Sequence, residues 1–226
     1  MKTIVIVGHP HYENSNTQPF LHEAAKKYSN VTWHVVTDKF NVAAEQALLK
    51  QYDRIILQFP LYWYSMPAIL KNWLDEVLTV KFATGNQFSL SGKELGLVIT
   101  LGSKSSNFQA GGPEKFTISE LMRPIEALAN KLKMTYLPIL PIYQFLYLQP
   151  TQQAALYIKY QQYLTSDNTL SFKSRSNWFK AELERRVDSQ PDAIELQSLL
   201  DTFEDNQNIL DDLQMDLDNL KKEEDE

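Results

Sequence analysis

The chain contains no cysteine. Disulfides, thiol nucleophiles, CxxC redox pairs and cysteine-bound iron–sulfur clusters are therefore excluded. Its four histidines are scattered and no HExxH occurs, so no metal site is expected. Any redox chemistry must come from a bound organic cofactor. Only 7 of 226 residues are glycine, and no GxGxxG follows the first apolar run. The Rossmann dinucleotide fingerprint is missing. No apolar stretch approaches the length that spans a bilayer. The first apolar run, Ile4 to Val7, is too short for a secretory segment. A cytoplasmic protein without membrane insertion is the resulting expectation. No Lys/Arg cluster argues for nucleic acid.

What is present is a chain with 43% hydrophobic residues, enough for a core, and 12% aromatic residues. The aromatic surplus fits either ordinary packing or a planar ligand. The net charge of −6 is unevenly spread. Residues 188–226 hold 14 acidic and 2 basic side chains, leaving 20 basic and 14 acidic in residues 1–187. The body is thus mildly basic, which suits an anionic ligand such as a dinucleotide, and the tail is strongly acidic.

Lys2 to Gly8 is a continuous apolar run ending in glycine, the pattern of a parallel strand covered on both faces. Val31–Val36, Asp53–Phe59 and Glu94–Thr100 read as further strands, and Met134–Pro141 as a fifth, interrupted by proline. Helical patterns fall at Thr17–Tyr28, Asn41–Tyr52, Pro67–Leu78, Thr117–Lys131 and Gln152–Leu164. Strict alternation of strand and helix implies right-handed βαβ units. Five such strands predict an α/β, flavodoxin-like, doubly wound parallel sheet. Its ligand should sit at the carboxyl ends of the strands, near the switch in strand order.

Three loops follow those ends. The first, His9–Gln18, contains Ser15, Asn16 and Thr17 before a helix, a ready anion site or a plain helix cap. The second runs Pro60-Leu61-Tyr62-Trp63-Tyr64-Ser65-Met66-Pro67. Three consecutive aromatics at a strand end suit stacking against a flat ring better than core packing, although an aromatic mini-core is the alternative. The third, Thr100-Leu101-Gly102-Ser103, is small enough for close backbone approach to a ligand, or is an ordinary loop.

Residues Phe59 to Leu78, Phe116 to Glu126 and Met134 to Pro138 resemble the NAD(P)H:quinone oxidoreductases of flavodoxin-like fold. They are also similar to the ancillary oxidoreductases of bacterial potassium-efflux systems. The resemblance covers about residues 2–165. It implies an enzyme that takes two electrons from NAD(P)H and passes them through bound FMN, or alternatively FAD, to a quinone. It implies that His9, Ser15, Asn16, Thr17 and Gln18 hold the ribityl and phosphate. Pro60, Leu61, Tyr62, Trp63 and Tyr64 would hold the ring, and Thr100, Leu101, Gly102 and Ser103 its pyrimidine edge. The family's proton-handling tyrosine aligns with Phe108, which lacks a hydroxyl, and a second such position falls near Tyr143. A homodimer is implied, with Phe108, Phe116 and Tyr143–Tyr147 completing a partner's site or serving the subunit's own core. The Phe108 departure keeps a flavin-binding regulatory subunit as the alternative function, and a flavodoxin-type carrier as a weaker one.

Residues 166–226 lie beyond the resemblance and form an acidic helical extension, giving domains 1–165 and 166–226. Residues 166–186 read as polar, and Pro191-Asp192 as a helix start. Leu196, Leu199, Phe203, Asn206, Leu210, Leu213, Leu217 and Leu220 then alternate steps of three and four. That is a heptad seam carrying one asparagine. It predicts a short coiled coil, a helix for a protein partner, or a helix docked on its own subunit.

Overall fold

The computed structural model describes residues 1–85, 88–167, 171–189 and 194–224. The contacts divide the chain into two units, Met1–Thr169 and Leu170–Glu226.

In the first unit, strands β1 (Thr3–Val7), β2 (Val31–Val35), β3 (Arg54–Pro60) and β4 (Glu94–Leu101) pair in parallel. All residues of β1 and β3 are buried. This is the outcome expected of apolar runs without alternation, since helices cover both faces. The order is β2-β1-β3-β4-β5, the doubly wound flavodoxin arrangement, with β6 also on β4.

The expected fifth strand exists as two pieces, β5 (Thr135–Tyr136) and β6 (Leu140–Tyr143), so six strands occupy five positions. The reason lies in the register. Leu95 faces Tyr136, whereas Val98 faces Leu140, so one extra residue separates the two pairings. That is a bulge. Pro138 and Pro141 fall in and just after it. The Leu137 N–H points inward to Leu95 O at 2.8 Å, and the Gln144 N–H to Leu101 O at 2.7 Å. Amide directions alternate along a strand. Pro138 and Pro141 therefore stand where an N–H would face away from β4.

A tyrosine fills the opening. Tyr163 Oη accepts from Leu97 N at 3.0 Å and donates to Pro138 O at 2.8 Å. Gly96 makes room for it, because a Cβ there would lie 2.5 Å from that oxygen. Burial pushes the Tyr163 hydroxyl well above its usual range, so it is neutral and free to donate.

Helices α1 (Thr17–Ala25) and α7 (Pro150–Thr165) pack against each other. Helices α2 (Val42–Lys50), α3 (Ala68–Val77), α4 (Val80–Ala83), α5 (Ile118–Leu121) and α6 (Arg123–Lys131) complete the unit. The single helix expected over Thr117–Lys131 is broken at Met122, with Pro124 in the first turn of α6. Proline lacks the N–H that a continuous helix needs there. The carboxyl end of α7 is held by β3. Fully buried Arg54 donates from Nη1 to Tyr163 O and from Nη2 to Ser166 O, each at 2.7 Å. Its Nε pairs with Glu94 at 2.7 Å.

The second unit is an antiparallel helical hairpin. Helix α8 (Phe172–Ser189) occupies residues that read as merely polar. Helix α9 (Ile194–Glu224) lies against it. The helix start expected at Pro191-Asp192 lies outside the described residues. Lys180 pairs with Glu204 at 2.8 Å, and Gln207 Nε2 donates to Ser176 at 3.0 Å. The Phe179 and Phe203 rings stack 6.0 Å apart. No helix among the described residues is long and apolar enough to cross a membrane.

Candidate functional site

Four loops meet at the carboxyl end of the sheet. Thr17 follows β1, Pro60 to Tyr62 end β3, Thr100 to Gly102 end β4, and Ile142 with Gln144 to Tyr147 end β6. Together they line a cleft of about 220 Å³. Leu61 N donates to Thr100 O at 3.0 Å and Gln144 N to Leu101 O, so backbone bonds lock three of these loops together. Most of the wall is apolar: Pro60, Leu61, Leu101, Ile142 and Phe145. Gly102 needs no special backbone angle, and a Cβ built on it would meet nothing within 4 Å. Neither packing nor strain demands glycine at that wall, so open space in the cleft is what its missing side chain preserves.

Next to Thr17, the α1 residue of that lining, a polar chain begins that does not itself line the cleft. Ser15 Oγ accepts from Gln18 N at 3.2 Å, capping the helix. The Gln18 side chain is fully buried. Tyr160 Oη donates to Gln58 Oε1 at 2.7 Å, which fixes that amide's orientation. Gln58 Nε2 then donates to Gln18 Oε1 at 2.5 Å. The chain of donors ends at Gln18 Nε2, which is buried and has no partner. A buried amide N–H left unsatisfied costs free energy, and such a group calls for a ligand or water. His9 is half-buried. Its Nδ1 accepts from His11 N at 3.2 Å, which places a proton on Nε2. Burial first, and the charge of His11 second, lower its pKa, so at neutral pH it is an uncharged donor.

The aromatic turn is a tight one. Tyr62 N donates to Ser65 O at 2.9 Å and Ser65 N to Tyr62 O at 3.0 Å, with Trp63 at φ 46° and Tyr64 at φ 65°. Two positive φ values define a type I′ turn, a conformation costly for bulky residues. Of its three aromatics only Tyr62 lines the cleft. Trp63 is 94% exposed, and Tyr64 turns away to donate to Glu114 at 2.9 Å.

The structure thus gathers Thr17, Pro60, Leu61, Tyr62, Thr100, Leu101 and Gly102 around one cleft, with Ser15, Asn16 and Gln18 adjoining Thr17 in the chain. Ser103 follows Gly102 but does not line it. Phe108 is packed in the hydrophobic core, 8% exposed, and stands outside the cleft lining. Tyr143 packs against that same core between cleft residues Ile142 and Gln144, and burial raises its pKa. Gln144, Phe145, Leu146 and Tyr147 line the cleft of this chain, whereas the sequence suggested a partner's site or the subunit's own core for Tyr143–Tyr147. Gln58 and Tyr160 were missed. A lone glutamine inside Ile55-Ile56-Leu57-Gln58-Phe59 was the available signal.

Comparison with known proteins bears on the fold and family of the first unit. A family model described as "Flavodoxin-like fold" matches residues 1–165. The crystal structure of an NADPH-quinone reductase from P. pentosaceus is 61% identical, covering 73% of this chain and 98% of that one, with a TM-score of 0.72. General stress protein 14 from Treponema denticola, solved in complex with FMN, is 29% identical over 73% of this chain and all of that one, with a TM-score of 0.66. The glutathione-regulated potassium-efflux system ancillary protein KefG of Cronobacter sakazakii is 36% identical over 63% of this chain and 80% of its own. With the doubly wound order, the four-loop cleft and the family match over residues 1–165, the chain belongs to the flavodoxin-like family.

Proposed function

We propose that this chain is an NAD(P)H-dependent oxidoreductase that holds FMN in the four-loop cleft and reduces quinones or similar acceptors by two electrons. The observation that carries the reading is the buried, unpartnered Gln18 amide next in the chain to Thr17, the α1 residue that lines a mostly apolar cleft. A ligand with a flat apolar body and a polar, anionic tail suits both. The residues fit that group. The α1 amino terminus, Gln18 Nε2 and the neutral His9 ring supply donors for a phosphate and its chain. Pro60 to Tyr62 and Thr100 to Gly102 supply two walls for a ring. When bound, FMN supplies the two-electron chemistry, which no side chain of this protein offers.

The protein's part is to position and to exclude water. The backbone bonds joining Leu61 to Thr100 and Gln144 to Leu101 keep the walls at fixed separation. Phe145 and Ile142 keep the reacting end dry, and Tyr147, 76% exposed at the rim, is placed to cover an incoming ring. The expected homodimer belongs to this proposal, with the exposed Leu146 and Tyr147 as the surface offered. Kinship with the P. pentosaceus reductase and the FMN-bound protein of T. denticola supports the choice of cofactor and reaction.

Titration of the cofactor-free protein with FMN, followed by flavin fluorescence, tests the site. Gln18→Leu should weaken FMN binding about tenfold, the equivalent of one lost hydrogen bond near 1.4 kcal/mol. A protein that takes up neither FMN nor FAD would sink the proposal. A second reading, a flavin-bearing regulatory subunit, is favoured by the KefG kinship and by the core position of Phe108. Flavin that binds tightly but is not bleached by anaerobic NADPH would select it.

A further inference from the structure

We propose that α9 pairs with the α9 of a second copy of this chain as a parallel two-stranded coiled coil running from Asn206 to Leu220. The inference stands apart from the flavin reading and rests on the hairpin alone.

Helix α8 covers one stripe of α9. Leu200, Phe203, Glu204, Gln207 and Asp211 face it, and Leu200 is buried to 8% exposure. Of the heptad seam, Phe203 stacks on α8 and Leu210 borders Phe172 and Lys173 of α8, whereas from Leu213 onward the seam lies beyond those contacts. Leu210, Leu213, Leu217 and Leu220 are 47–57% exposed, as is Ile209 beside them. Moreover, α9 outruns its partner. Lys173, near the start of α8, lies 4.0 Å from Asp211, and α9 continues to Glu224. A helix end without tertiary support is marginal in water, and a run of half-exposed leucines on it is a binding face.

Charge placement chooses the occupant. With Leu196 at position a, the seam residues fall at a and d throughout. Between Ile194 and Leu220 there are eight acidic residues. Six of them, Asp201, Glu204, Asp205, Asp211, Asp212 and Asp218, lie at b, c or f, away from the seam. A self-pair is therefore spared their repulsion. Position e carries Leu200, Gln207, Gln214 and Lys221, and Asp216 stands at g. In a parallel dimer g meets the e residue five places on in the other helix, so Asp216 meets Lys221 of the other copy. An antiparallel pair sets e against e, where Lys221 finds no acid. Complete burial of these five apolar side chains from two helices removes on the order of 1,000 Å² from water, the lower range of specific interfaces.

The absence of cysteine makes the test direct. Single cysteines are placed in the full chain at seam positions, Leu213→Cys and Leu220→Cys, and at outer positions, Asp212→Cys and Met215→Cys. Under mild oxidation the seam variants should form covalent dimers roughly tenfold faster than the outer ones, because only they bring identical Cβ atoms near bonding distance. In the Leu220→Cys background, Asp216→Lys should slow the reaction and Asp216→Lys with Lys221→Glu should restore it. Equal rates at all four positions would overturn the pairing. So would the absence of covalent dimer, the outcome if α9 docks on its own body or on another protein. Cross-linking only between unlike seam cysteines in a mixture would overturn the parallel orientation. Dimerisation through the first unit alone leaves the seam and outer rates equal, so it cannot imitate the expected result.

Discussion

At Tyr163 a hydroxyl stands where the bulge deprives β4 of a backbone partner. Phenylalanine there would leave Leu97 N–H and Pro138 C=O buried and unsatisfied. Tyr163→Phe should cost about 2–3 kcal/mol in urea unfolding with the slope unchanged. His9 gives a pH signature. Its pKa is held below the ordinary 6.5 by burial and then by His11. The unfolded chain therefore takes up the proton first as pH falls. The stability due to neutral His9 is complete above pH 6.5 and is lost below it, toward the depressed folded value. Urea midpoints at pH 7.5 and 5.5 should differ more for the wild type than for His9→Asn. Bound FMN should shrink that difference, since a phosphate beside the ring favours its charged form. At this scale the sequence pointed to three of the four loops that line the cleft, but not to which atoms. Trp63 and Tyr62 are adjacent aromatics in one motif, yet one faces solvent and the other the cleft, because a type I′ turn reverses direction within two residues. No periodicity encodes that.

The strands were legible as elements because each is an apolar run bounded by polar or turn residues, and their alternation with helices implied the parallel pairing seen in the sheet. Helix α8 was not legible. Only Leu183 among its residues is buried, so it lacks the apolar stripe by which a helix is recognised. The bulge escaped for another reason, since proline told of interruption but not of the extra residue. At the aromatic turn, two bulky residues held at positive φ store strain of about 1–3 kcal/mol each. Trp63→Asn with Tyr64→Gly, which suits a type I′ turn, should raise stability by about 1–2 kcal/mol in thermal or urea unfolding. If the strain serves the cleft, quinone reduction should fall while FMN binding holds. Arg54 ties two elements, and its loss leaves Glu94 and two carbonyls at the end of α7 without a partner. Arg54→Ala should cost about 3–5 kcal/mol, measured by the urea midpoint.

The two units differ in how they are held. The first has two clusters of buried side chains on either face of its sheet. In the second, Leu183 and Leu200 are the buried apolar residues among those described. Far-UV circular dichroism should show an early, shallow loss of helix before the main melt. That early step should move to higher temperature as protein concentration rises, because pairing stabilises by mass action. The outer edge of the sheet has its own significance. Pro138 and Pro141 remove outward-facing donors from the last strand, and the bulge between its halves bends the remaining row out of line. An exposed parallel edge is otherwise a template on which a partly folded neighbour can add strand to strand. Here such a neighbour meets carbonyls without matching amides. The feature that splits one strand in two thus acts against aggregation, keeping the open side of the sheet from growing into a fibre.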